Sequence, residues 1–129
     1  MSRNLLIVII GFFVMSFGCS KGASNESDAI VFTTNAGTSN VSVASNFAFT
    51  LKIGSRISVS GLSVQVSAVE EVTGSSVSPQ PPTFTTTVAD NSTSVINLPQ
   101  QKWVVATIKI TDTKNTKNTV SKIFRVIYK

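Results

Sequence analysis

From residue 28 onward the chain is patterned with a period of two. Phe47, Phe49, Leu51 and Ile53 are separated by Ala48, Thr50 and Lys52. Leu62, Val64, Val66 and Ala68 are separated by Ser63, Gln65 and Ser67, and Glu70-Glu71 closes that run. Successive side chains of an extended strand point to opposite faces, so each run predicts a half-buried strand. The strongest such strand is expected over 102–111, with Val104, Ala106, Ile108 and Ile110 facing a core and Thr107, Lys109 and Thr111 facing out. Trp103 stands at its start and is expected to lie as a lid on that core. A last strand over 120–128 turns Phe124, Val126 and Tyr128 inward. Its Arg125, with Lys129, shares the outward face, and Lys109 joins them if the two strands are neighbours.

Shorter strands are expected over 29–33, 40–43, 56–59, 84–88 and 94–98. Turn chemistry at Asn35-Ala36-Gly37, Gly54-Ser55, Gly61 and Ala89-Asp90-Asn91-Ser92 separates them. The main irregular stretch is 73–82, where Pro79-Gln80-Pro81-Pro82 favours an extended polyproline conformation. It is expected to be a polar crossover between two sheets, and it is the loop to watch for binding. No stretch keeps a helical period. The expected class is all-β: one immunoglobulin-like β-sandwich over 28–129, built from about seven to nine short antiparallel strands.

The beginning of the chain follows a different rule. Arg3 precedes an apolar run over 5–17, and Ser16 and Gly18 place small residues before Cys19. As a helix that run spans about 20 Å, short of the roughly 30 Å of a bilayer core. The pattern is that of a secretory signal over 1–18. Small residues, a cysteine and then Ser20-Lys21-Gly22 resemble the lipobox of bacterial lipoproteins. The resemblance implies diacylglycerol on the Cys19 thiol, cleavage before Cys19 and acylation of the new amino terminus. It further implies a protein held in the bacterial envelope, at the outer membrane rather than the inner. Residues 19–27 then form the lipidated cysteine and a flexible tether, of which 20–27 spans about 16 Å. Cys19 is the only cysteine of the chain, so no disulfide is available to it, and lipidation accounts for its position. Ordinary signal peptidase cleavage after Gly18 would instead release a secreted domain with a free thiol.

Charge adds little until its distribution is considered. The full chain carries a formal +5 with 13% charged residues. Lys102, Lys109, Lys114, Lys117, Lys122, Arg125 and Lys129 crowd the C-terminal part, against Asp112 alone. Such an end suits anionic headgroups or an acidic polymer, or is a set of solvated lysines. An export signal argues against nucleic acid as the partner of this end.

Catalytic chemistry finds few residues to use. There is no histidine, which excludes His-based triads and His-ligated metals. No serine lies in a Gly-x-Ser-x-Gly turn, and no Gly-rich phosphate loop occurs. Glu70 and Glu71 are neighbours on a strand, point to opposite faces, and cannot form a glycosidase pair. Asp90-Asn91-Ser92 lacks the spacing of a calcium loop. No catalytic, cofactor-binding or metal-binding residue is nominated; Cys19, for lipidation, is the one candidate site. The run Trp103 to Asp112 is similar to a core strand of small immunoglobulin-like domains in bacterial lipoproteins, which implies a binding or accessory role. The expectation is a non-catalytic envelope lipoprotein that binds a protein partner. The alternatives are a glycan- or cell-wall-binding module, and a structural, fimbrial-type subunit with an exchangeable terminal strand.

Overall fold

The computed structural model describes residues 29–129. The signal, the lipidation of Cys19 and the tether lie outside the described residues. Strands follow in the order β1 (Phe32–Thr34), β2 (Ser39–Ser42), β3 (Phe47–Ile53), β4 (Leu62–Glu70), β5 (Phe84–Thr86), β6 (Asp90–Val95), β7 (Trp103–Asp112) and β8 (Thr119–Tyr128). They form a three-stranded sheet, β1-β3-β6, and a five-stranded sheet, β2-β8-β7-β4-β5. The described chain is all-β.

The strands with strict alternation build the core. Phe49, Leu51 and Ile53 of β3 are buried, as are Val64 and Val66 of β4 and Val104, Ala106, Ile108 and Ile110 of β7. Phe49 and Phe124 meet edge to face with centroids 5.1 Å apart, and Phe47 lies 5.9 Å from Phe124. Phe47 and Phe49 belong to one sheet and Phe124 to the other, so this cluster joins the layers. Such pairs add about 0.5–1.5 kcal/mol beyond the area they bury.

One pairing corrects the antiparallel expectation. β2 runs parallel to β8, with Ser39 opposite Arg125 and Val41 opposite Ile127. The cause is a strand that changes sheets: β1 pairs with β3 through Thr34, and after four intervening residues the chain joins β8 without reversing direction. Side chains take over the backbone hydrogen bonds at the switch. Asn35 Oδ1 accepts from the Thr50 amide at 2.8 Å, and Asn40 Nδ2 donates to the carbonyls of Gly37 and Arg125 at 2.8 and 3.0 Å.

Three other segments depart from the expected pattern. Residues 56–59 form no strand, because Ile57 packs on the core while Ser58 donates to Asp112 Oδ1 at 3.0 Å and anchors a turn closed by Gly61. Asp90-Asn91-Ser92 is not a turn but the start of β6, paired in register with Lys52, Leu51 and Thr50. β6 is an edge strand of its sheet, so polar residues there reach water without breaking alternation. The stretch 73–82 does not cross between sheets, since β4 and β5 are neighbours in one sheet. It folds back on β4: Val77 is buried and its amide donates to Ala68 O at 2.9 Å. Gln80 then acts as a short strand partner for the end of β6. Its Oε1 accepts from Ile96 N at 2.9 Å and its Nε2 donates to Ile96 O at 2.7 Å. The chain passes between the sheets over 87–89 instead.

The first half of β8 is not covered by β2, whose pairing begins at Arg125. Lys122 closes this edge. Its Nζ donates to Phe32 O at 2.6 Å and lies 4.9 Å from the centroid of the Phe32 ring. A charged residue turned toward an open edge is a known way to block further strand pairing.

Two substitutions test this packing. Ile108→Ala should lower unfolding free energy by about 2–5 kcal/mol in a urea titration, because Ile108 is fully buried. Gly61 has a φ of +87°, and a Cβ there would lie 2.9 Å from the Thr86 carbonyl oxygen. Gly61→Ala should therefore cost more than about 1 kcal/mol in the same assay.

Candidate functional site

The register of the five-stranded sheet determines what its outer face presents. Across β2, β8, β7 and β4 the face carries Val41, Ile127 and Trp103 in one row, and Ser39, Arg125, Val105 and Val69 in the next. Further along come Ile123, Thr107 and Ser67, then Ser121, Lys109 and Gln65, then Thr119, Thr111 and Ser63. One half of the face is thus apolar and aromatic, and the other is hydroxyl-rich. Val41 and Ile123 are 59% and 67% exposed. Ile127 also lies on this face, yet it is buried between its register neighbours Val41 and Trp103.

Trp103 corrects the expectation of a core lid. Val104 is inward and fully buried, so its neighbour on a strand must point the other way. Half-exposed Trp103 lies on the outer face, with the guanidinium carbon of Arg125 4.1 Å from its ring centroid. Arg125 reaches from β8 across Trp103 to the carboxylate of Glu71, just past the end of β4. Its Nη2 donates to Oε1 at 3.0 Å, its Nε donates to Oε2, and Nη1 donates to Ser39 Oγ at 3.4 Å. The hydrogen bond to Glu71 raises the Arg125 pKa above its ordinary value, partly opposed by desolvation and reinforced by the charge of Glu71. The arginine therefore stays charged across the accessible pH range, and its planar fork is held by stacking and by a bidentate partner.

The expected basic outer face is only partly assembled. β7 and β8 are neighbours, so Lys109 does share a face with Arg125, but it stands beside Gln65 and Ser121. Arg125 is engaged with Glu71, Lys102 is 3.3 Å from Glu70, and Lys122 is turned to the sheet edge. Glu70 and Glu71 point to opposite sides and bind different cations. A groove of about 290 Å³ adjoins the strand switch, lined by residues that include Thr33, Gly37, Lys122 and Ile123. Cys19 lies outside the described residues.

The alternation of β7 carries the signal that places Trp103 on this face, since its neighbour Val104 is inward. The Glu71–Arg125 contact had no local signal, since its partners are 54 residues apart. No family model matches the chain, and no curated protein or solved structure is detectably similar to it.

Trp103 is the only tryptophan, so its fluorescence reports this cluster directly. Arg125→Ala should uncover the ring, shifting emission to longer wavelength and increasing acrylamide quenching without loss of the folded baseline. Arg125→Lys should behave more like Arg125→Ala than like the parent, because an ammonium reproduces neither the stacking nor the fork.

Proposed function

We propose that the chain is a lipid-anchored bacterial envelope protein whose immunoglobulin-like sandwich binds a protein partner and performs no catalysis. The observation that carries the binding role is the outer face of the five-stranded sheet. Tryptophan and arginine are enriched among the residues that dominate protein–protein affinity. Here Trp103 and Arg125 are preorganised by Glu71, and exposed Val41 and Ile123 flank them on adjacent strands. Holding the arginine in place beforehand reduces the ordering cost of association.

The sheet order supports the immunoglobulin-like reading. At one edge of the sandwich the chain leaves the small sheet and runs parallel to the last strand of the large one. The anchor rests on the apolar signal and on Cys19, the only cysteine in the sequence. Two or more acyl chains there hold a protein stably at a bilayer, where a single chain gives marginal binding. Protein is favoured over glycan as the partner because the guanidinium of Arg125 occupies a face of the Trp103 ring on which a sugar would stack.

Cys19→Ser should move the protein from the membrane fraction to the soluble envelope fraction, and mass spectrometry of the parent should find diacylglycerol on Cys19. In crosslinked envelope preparations, the tagged parent should retain one stoichiometric protein partner. Val41→Asp together with Ile123→Asp should reduce that yield at least about tenfold, since desolvating two charges in an interface costs more than 1.4 kcal/mol. Recovery of glycan without protein would transfer the role to a wall- or saccharide-binding module.

A further inference from the structure

We infer that the end of the sandwich from which the N-terminal segment enters is itself a contact surface for an anionic lipid bilayer. This rests on the lipid-anchor reading of Cys19 and adds to it a specific orientation.

Backbone hydrogen bonds define that end. Val31 O accepts from Gly54 and Ser55, Ile53 donates to Ala89 O, and Thr113 donates to Gly61 O. These bonds gather the start of the described chain and the loops 54–61, 87–89 and 112–118. Each contributes to one surface. Val31 and Val88 are both 57% exposed, and Val59, at the tip of its turn, is fully exposed. Arg56, Lys114 and Lys117 are exposed around them. Among the described residues these three cations form no ion pair, whereas the salt bridges of the domain, Lys102 with Glu70 and Arg125 with Glu71, lie at the opposite end. Among the described residues, Asp90 is the exposed acid nearest this end, and it stands directly opposite Lys52 in register. Asp112 is buried and bonded to Ser58. The end is therefore basic with protruding apolar tips.

The tether selects the occupant. Nine residues, 20–28, separate Cys19 from Ala29, where the described chain begins on this same end, and a flexible chain of that length spans about 16 Å. A chain anchored at Cys19 brings this surface to its own membrane first. Each Lys or Arg near an anionic surface strengthens attachment about fivefold, and the valines can enter the headgroup layer. Trp103 begins β7 at the far end, about 30 Å away at the rise of an extended strand. The binding face is then directed away from the bilayer, where a partner can reach it.

The test uses the lipidated chain reconstituted in vesicles of phosphatidylcholine alone or mixed with phosphatidylglycerol. Val59→Cys and, as the far-end control, Val72→Cys each carry an environment-sensitive fluorophore, and headgroup-labelled lipid serves as quencher. In the mixed vesicles the label at position 59 should be quenched at least threefold more than the label at 72 (less than one charge's worth of attachment), and the difference should vanish in phosphatidylcholine or at high salt. Combining Arg56→Glu, Lys114→Glu and Lys117→Glu should abolish it while the thermal melt is unchanged. Equal quenching at both positions with Cys19 lipidated would overturn the orientation and leave the anchor intact. If mass spectrometry finds Cys19 unmodified, the anchor reading fails by itself. The Cys19→Ser chain added to the same mixed vesicles then decides the surface: selective quenching at 59 sustains it, and no binding overturns it.

Discussion

The constraint on which this structure depends is the alternation of β7. That strand is paired along nearly its whole length with β4 on one side and β8 on the other. A slip of one residue would exchange every inward and outward side chain. Four fully buried aliphatic residues, Val104, Ala106, Ile108 and Ile110, prevent such a slip. The same fixed register sends Trp103 to the outer face, beneath an arginine from β8 and within that arginine's reach of Glu71. Core and candidate site are thus two consequences of one strand.

Where the sheets end, polar side chains do the work that strand pairing does in the middle. Asn35 and Asn40 bond the backbone where β1 becomes β2, Gln80 bonds both sides of Ile96, and Lys122 bridges from β8 to the Phe32 carbonyl. An unpaired backbone group shielded from water costs on the order of 1–3 kcal/mol. Each of these contacts therefore allows the sandwich to close an edge without adding another strand.

The sequence made the interior strands legible and the edges obscure. β3, β4, β7 and β8 bury one face each, and their alternation shows directly in Phe47–Ile53 and Leu62–Glu70. β6 is an edge strand, so Asp90, Asn91 and Ser92 carry no burial signal and resemble a turn. The parallel pairing of β2 was hidden because direction is set by the sheet switch at 35–38, not by the four residues of the strand. Trp103 could have been placed from Val104 alone, as adjacent residues of a strand face opposite ways. Arg125 and Glu71 could not have been joined without the order of β8, β7 and β4. The first nineteen residues are read from their own pattern, since they precede the described residues.

The most direct measurement is site-specific photocrosslinking in intact cells, from single positions on the two outward faces of the sandwich. Probes replacing Val41 and Ile123 report the five-stranded sheet, and probes replacing Thr50 and Ser92 report the three-stranded one. The expectation is one discrete protein adduct from Val41 and Ile123 and none from Thr50 and Ser92. Adducts confined to the three-stranded sheet would contradict it.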